Sequence, residues 1–325
     1  MIPKRYNFEN LGRILSNPQL LIHEASILYH RHIGKQLFHY KYGSPINVTD
    51  RDWDNLIILD ACRYDTFKKY NSIDGDLKRV VSAGSHSDEF IHENFNEKKL
   101  HDTVYITANP HADITLDKNV FHNVIRTYNT TTFSERSFDN YHPETVTDAV
   151  LSNYRKYDNK RVIVHYMQPH TPYIGEKACR IRKDLSEKGI ELKLSSSRED
   201  CDYKSLLKAA KDNHVSESDL NSCYVENLKI VLDEVKFLID ELDGKTVISS
   251  DHGELLGSPS TNSPGLSKYD HPPKTYLPEL RLVPWLIIHS DNRRDISSDG
   301  SPCEKSAPEN KVKQQLEALG YTDYE

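Results

Sequence analysis

A long amphipathic segment runs straight into a short apolar one, and that join narrows the class of fold this chain can adopt. Leu220, Tyr224, Leu228, Val231, Leu232, Val235, Leu238, Ile239 and Leu242 recur at three and four spacing. The pattern predicts a helix of about seven turns with one buried stripe. Directly after it, Lys245-Thr246-Val247-Ile248-Ser249 has strand length and stops at Ser250-Asp251-His252-Gly253. Upstream, Asn55-Leu56-Ile57-Ile58-Leu59 stops at Asp60, and Ala61-Cys62-Arg63-Tyr64-Asp65 opens a helix-like segment. Arg79 to Gly84 leads into Ser85-His86-Ser87-Asp88-Glu89-Phe90, where Gly84 permits a tight turn before a helix start. Thr103 to Thr107, Val120 to Tyr128 and Arg161 to Met167 read as further strands, and Pro143 to Tyr157 as a helix. Strands alternating with helices predict an α/β fold with a largely parallel sheet and helices on both faces.

In such a sheet the carboxyl ends of the strands line the ligand crevice. An Asp-His pair there (Asp251, His252) can reach a common metal ion, and two further strand ends offer a carboxylate (Asp60) and a hydroxyl (Ser85). A serine is a poor nucleophile until a cation stabilises its alkoxide, and a helix start adds backbone N–H donors suited to a phosphate or sulfate group. Ser87, two residues on in the same turn, is the rival hydroxyl.

These residues, in this order, resemble the alkaline phosphatase superfamily, specifically its sulfatase-like branch. His165-Tyr166-Met167-Gln168-Pro169-His170-Thr171-Pro172-Tyr173 is similar to the family's PHxPY segment, Leu280 to Ile288 to its RVPLIV strand, and Leu316 to Tyr321 to a common C-terminus. The resemblance spans residues 52–290 and implies an alkaline-phosphatase-like fold. It also implies metal ligation by Asp60, Ser85, Asp251 and His252, with Ser85 as nucleophile because Ser85 to Phe90 resembles the T-S-D-x-E-F turn of lipoteichoic acid synthases. His170 and His271, each held beside proline, fall where family histidines contact the substrate anion, protonate the leaving group or bind a second metal. Arg63 is a further anion contact or else a surface ion pair, and Asp65 a helix or turn partner. No acidic residue is evident beside His170, so one essential ion is expected with room for a second. Oxygen and imidazole donors without thiolate favour Mn²⁺ or Zn²⁺ over Ca²⁺ or Mg²⁺. The Cys-x-Pro-x-Arg signature of formylglycine sulfatases is missing at Cys62 and at Ser85, which departs from standard sulfatase chemistry.

The function expected is a metal-dependent hydrolase or transferase acting on phosphate or sulfate esters through serine, on small-molecule, glycan or lipid-linked substrates. The alternatives are a sulfatase with an atypical nucleophile and a catalytically silent anion- or glycan-binding protein. A net charge of −7 over 325 residues, with scattered Lys and Arg, leaves no footprint for nucleic acid. No stretch has the length of a membrane span and the N-terminus has no signal-peptide core, so a cytoplasmic location is expected. Five cysteines without C-x-x-C define neither a disulfide framework nor a zinc ribbon. Residues 1–50 read as a helical arm, packing or lying at a membrane interface. Residues 51–290 read as the catalytic domain, with a polar surface insertion at 175–216, and residues 291–325 as a linker and final helix.

Overall fold

The computed structural model describes residues 33–128, 142–190, 206–257 and 268–298. Helix α1 (Lys35–Tyr42) precedes β1 (Asn55–Leu59), α2 (Tyr64–Tyr70), β2 (Asp76–Val81), α3 (Ser87–Phe95) and β3 (Leu100–Thr107). Then follow α4 (His111–Thr115), β4 (Phe121–Arg126), α5 (Pro143–Tyr154), β5 (Arg161–Tyr166), α6 (Glu176–Glu187) and α7 (Leu206–Lys211). The chain continues through α8 (Glu217–Glu241), β6 (Thr246–Ser250), a ribbon of β7 (Leu255–Leu256) and β8 (Tyr269–Asp270), α9 (Pro278–Arg281) and β9 (Leu282–Ile288). No described helix is long and apolar enough to cross a membrane.

Seven strands form one sheet in the order β2-β9-β6-β1-β5-β3-β4. β6, β1, β5, β3 and β4 are parallel, while β9 runs antiparallel to both β6 and β2. The period-2 alternation of β1 divides its residues between two cores. Ile57 and Leu59 face Phe67 of α2, Val146 and Val150 of α5, and the stripe Leu228, Val231, Leu232, Val235 and Leu238 of α8. Leu56 and Ile58 face Phe90, Ile91 and Phe95 of α3 and Ala112 of α4. Each such side chain contributes about 1.5–3 kcal/mol by burial. With both faces covered, the fold is the expected α/β arrangement with a largely parallel sheet, and β1 lies in its middle with Asp60 just beyond its carboxyl end.

Helix α8 starts where Ser216 Oγ accepts the Asp219 N–H at 3.0 Å, and acidic Glu217 and Asp219 occupy its first turn. Its first turns carry a second role, packing the described part of the segment expected as an insertion at 175–216. Ala178 and Leu185 of α6, and Leu206, Leu207, Ala209 and Ala210 of α7, bury against Leu220, Cys223 and Tyr224 with Tyr173 and Leu256. The segment 191–205 within that expected insertion lies outside the described residues, as do most of the N-terminal arm and the C-terminal helix. The start of the expected linker is anchored. Arg293 binds Asp54 at 2.6 Å and Asp52 at 2.7 Å, and Arg294 reaches the Tyr157 carbonyl.

Candidate active site

Asp60, Asp251 and His252 converge beyond the carboxyl ends of β1 and β6, as expected. The backbone holds them tightly. Asp60 N–H donates to the Tyr166 carbonyl at 3.1 Å, and Asp251 Oδ1 accepts from Ala61 N–H at 3.0 Å and His252 N–H at 2.8 Å. Ser250 Oγ lies 2.6 Å from the Leu59 carbonyl and accepts the Cys62 N–H at 2.9 Å, so the ends of β1 and β6 are tied together. Gly253 is required by a close approach: a Cβ there would stand 1.9 Å from the Glu279 carbonyl oxygen, and its N–H donates to Leu280 O at 2.8 Å.

Ser87, not Ser85, joins them. Its Oγ donates to Asp251 Oδ2 at 2.7 Å and lies 3.2 Å from His252 Nε2 and 3.5 Å from Asp60 Oδ2. The Ser85 hydroxyl is engaged elsewhere, within 3.2 Å of Glu89 Oε2 and 3.1 Å of the Pro272 carbonyl, while accepting the Thr275 N–H at 3.1 Å. The reason lies in the helix start. α3 is capped by His86, so Ser87 is its first residue, and the loop before it closes on Gly84, where a Cβ would meet Phe90 N at 2.6 Å. Ser85 instead pins the 272–275 loop to this turn. A cavity of about 780 Å³ opens on that side, lined among others by Asp88, Glu89, Lys274 and Tyr276.

Asn109 is a site residue that motif reading missed. Its amide donates to Asp60 Oδ2 at 2.7 Å and to Ser87 Oγ at 2.9 Å, and the residue is fully buried just past the end of β3. The signal available was its position: Thr103 to Thr107 ends in Ala108-Asn109, another parallel strand end at the crevice.

Burial, together with the facing Asp251 and Glu254, pushes the Asp60 carboxyl well above the usual carboxylate range. For Asp251 burial acts in the same direction, but the facing His252 and the Ser87 hydroxyl outweigh it and hold it low. Burial lowers His252 to about 4, so its imidazole is neutral. Its Nδ1 lies 2.8 Å from the Gly253 carbonyl, which places the proton there and leaves the Nε2 lone pair facing Asp60 and Asp251.

His170 and His271 come together with Glu254, which corrects the absence of an acidic residue there: their donor atoms all lie within 4.8 Å of one another. Glu254 approaches His271 Nδ1 at 3.2 Å, and His170 sits in a loop that Asn227 of α8 holds through the His170 and Pro172 carbonyls at 3.2 and 3.0 Å. Burial lowers His170 far below its ordinary value and His271 to about 4, and raises Glu254 to about 8. Arg63 is taken up by Asp65 in a two-pronged pair at 2.9 and 2.5 Å, the ion-pair alternative rather than the anion contact.

No family model and no curated protein matches the chain. Among solved structures, the C-terminal periplasmic domain of EcEptC from Escherichia coli in complex with Zn is 14% identical, with a TM-score of 0.42 over 76% of this chain and 77% of that one. Phosphonate monoester hydrolase SpPMH from Silicibacter pomeroyi is also 14% identical, with a TM-score of 0.39 over 82% and 72%. A putative sulfatase from Bacteroides thetaiotaomicron is 11% identical, with a TM-score of 0.43 over 83% and 71%. These neighbours are sulfatase-like proteins of the alkaline phosphatase superfamily.

The residues present fit a divalent cation. Asp60 Oδ1 is buried without a hydrogen bond among the described residues, and His252 Nε2 stands 3.6 Å from it and 3.4 Å from Asp251 Oδ2. These separations exceed a hydrogen bond and suit donors that share an ion at about 2.0–2.2 Å. A raised carboxyl beside an ionised one is what two acids do when no cation compensates them.

Proposed function

We propose that the protein is a metal-dependent hydrolase or transferase acting on phosphate or sulfate esters, with Ser87 as the nucleophile. The observation that carries this reading is the Ser87 hydroxyl, set at the first residue of α3 and touching Asp251 and Asn109, with His252 and Asp60 within 3.5 Å. Asp60, Ser87, Asp251 and His252 would hold a Zn²⁺ or Mn²⁺ ion, which lowers the hydroxyl pKa and offsets charge on the transferring group. Asp251, the ionised carboxylate, accepts a hydrogen bond from the Ser87 hydroxyl in the resting arrangement. The Asn109 amide donates to the serine oxygen and steadies the alkoxide as it forms, and the start of α3 presents its positive end to the ester's oxyanion. Attack of Ser87 Oγ on phosphorus forms the new O–P bond as the ester O–P bond breaks, the serine proton passing to Asp251 and the leaving alkoxide taking a proton from water. Water, or an acceptor hydroxyl, then takes the group from the serine.

His170, Glu254 and His271 form a second donor set. With both imidazoles neutral they can ligate a second cation, and in its absence the protonated Glu254 hydrogen-bonds His271. A catalytically silent binding protein is not favoured, because a buried serine held among two acids, an amide and an imidazole serves no packing need. Peptide mass spectrometry after trapping with phosphate mono-, phosphate di- and sulfate esters tests the proposal. The adduct is expected on Ser87, with turnover lost in Ser87→Ala and kept in a folded Ser85→Ala. An adduct on Ser85, or full turnover in Ser87→Ala, refutes it.

A further inference from the structure

The site holds a second imidazole that the four expected ligands leave out. His165 lies in β5, paired in register with Ile58 of β1 and Thr107 of β3, and is fully buried. Its Nε2 makes no hydrogen bond among the described residues, although it points at Asp251 Oδ2 from 3.7 Å. At that distance no hydrogen bond forms. Donor atoms of Asp60, His165 and Asp251 nevertheless all lie within 4.8 Å of one another. Two donors about 2.1 Å from one ion, at angles between tetrahedral and trigonal, stand roughly 3.4–3.6 Å apart. The separations of His252 Nε2 from Asp251 Oδ2 (3.4 Å) and of His165 Nε2 from the same oxygen (3.7 Å) lie at and just above that spacing.

The other ring nitrogen is fixed. His165 Nδ1 lies 2.7 Å from Tyr105 Oη, in a buried contact between β5 and β3. A ligating histidine characteristically donates its second N–H to an oxygen, which sets the tautomer and aims the free lone pair at the metal. With the proton on Nδ1 and donated to Tyr105, the Nε2 lone pair faces Asp60 and Asp251. Two buried atoms without a hydrogen bond among the described residues, Asp60 Oδ1 and His165 Nε2, then have one common explanation.

We propose that His165 is a further metal ligand, so that the ion of this site is held by two imidazoles, two carboxylates and the Ser87 hydroxyl, with Tyr105 positioning the added imidazole. The proposal rests on the reading above that a cation binds here. It contrasts with the opposite tautomer, in which Tyr105 donates to Nδ1 and the Nε2–H merely orients Asp251.

The 325-residue chain and its His165→Gln and His252→Gln variants, checked for folding by circular dichroism, are loaded with Zn²⁺, and coordinating imidazoles are counted by X-ray absorption. The difference between proteins is read, because His170 and His271 stand in the second donor set. Each variant is expected to lose one imidazole relative to wild type and to bind Zn²⁺ about 10- to 100-fold more weakly. A His165→Gln protein equal to wild type in both, beside a His252→Gln protein that loses one imidazole, overturns the proposal and leaves the proposed function standing. A wild-type protein that takes up no Zn²⁺ overturns both. If His165→Gln does not fold, ¹⁵N-histidine spectra of the wild type decide: a Zn²⁺-induced shift of His165 Nε2 supports ligation, and an Nε2 that keeps its proton refutes it.

Discussion

Replacing Glu254 by Gln should stabilise the metal-free protein and weaken its metal binding, two effects of opposite sign from one atom exchange. Burial and the nearby Asp270 push the folded carboxyl up to about 8 from an ordinary 4.5. A raised carboxyl pKa means that the unfolded chain ionises first as pH rises. Stability is therefore undiminished below pH 4.5, falls through the window up to about pH 8, and levels off above it. His252 and His271, both lowered to about 4, act in the opposite sense between that value and about 6.5. The window free of these two imidazoles is thus about pH 6.5 to 8, where one unit of pH corresponds to about 1.4 kcal/mol and the Glu254 carboxyl should cost the wild type on the order of 2 kcal/mol relative to Glu254→Gln, the raised Asp60 being common to both proteins. For a chain of this length the melting entropy is about 0.7 kcal/mol/K, which makes the shift about 3 °C. Gln keeps the shape and an N–H donor toward His271 Nδ1, 3.2 Å away in the wild type, but has no charge to lose. Differential scanning calorimetry in chelator should show the wild type melting progressively below Glu254→Gln across that window. Saturating Zn²⁺ should reverse the order, since only the carboxylate is a full ligand. Parallel melting curves for the two proteins from pH 6.5 to 8 in chelator would refute the buried-acid reasoning.

Asn109→Ala should lower turnover by about 10²- to 10³-fold, the usual loss for one donor at a developing oxyanion, with a small change in melting temperature; steady-state kinetics with the best ester from the screen measures it. Gly253→Ala forces a methyl onto the Glu279 carbonyl and should cost about 1–3 kcal/mol while displacing Asp251 and His252, read as reduced Zn²⁺ stoichiometry and an earlier unfolding midpoint in urea. Arg293→Ala leaves buried Asp54 without its guanidinium and should cost about 2 kcal/mol, discounted because the arginine is partly exposed, with ester turnover unchanged. Equal urea midpoints for this variant and the wild type would count against that anchor.

The sheet was legible because each β strand is short, apolar and punctuated, and because parallel strands buried on both faces leave few other uses for such runs. Its edge was less so. β2 and β9 run antiparallel to their neighbours, and nothing in Arg79 to Gly84 or Leu280 to Ile288 encodes direction, which depends on how the chain returns across the sheet. Asp60, Asp251 and His252 could be read because adjacency to a strand end fixes their place. The serine could not: Ser85 and Ser87 flank a helix start, and a two-residue shift of that start would exchange which hydroxyl faces the crevice. What decides it is long-range, the Thr275 N–H and the Pro272 carbonyl engaging Ser85 from almost 190 positions away in the chain. Glu254 was overlooked for a related reason. Its partners His170 and His271 are separated from it in sequence and meet it only through the Asn227 contacts that hold the His170 loop and the β7-β8 ribbon that carries His271 back. His165 was read as a strand residue, and in a two-faced sheet most such residues are core. The mark of its other role is a single buried nitrogen left without a hydrogen bond, which no linear pattern of residue types records.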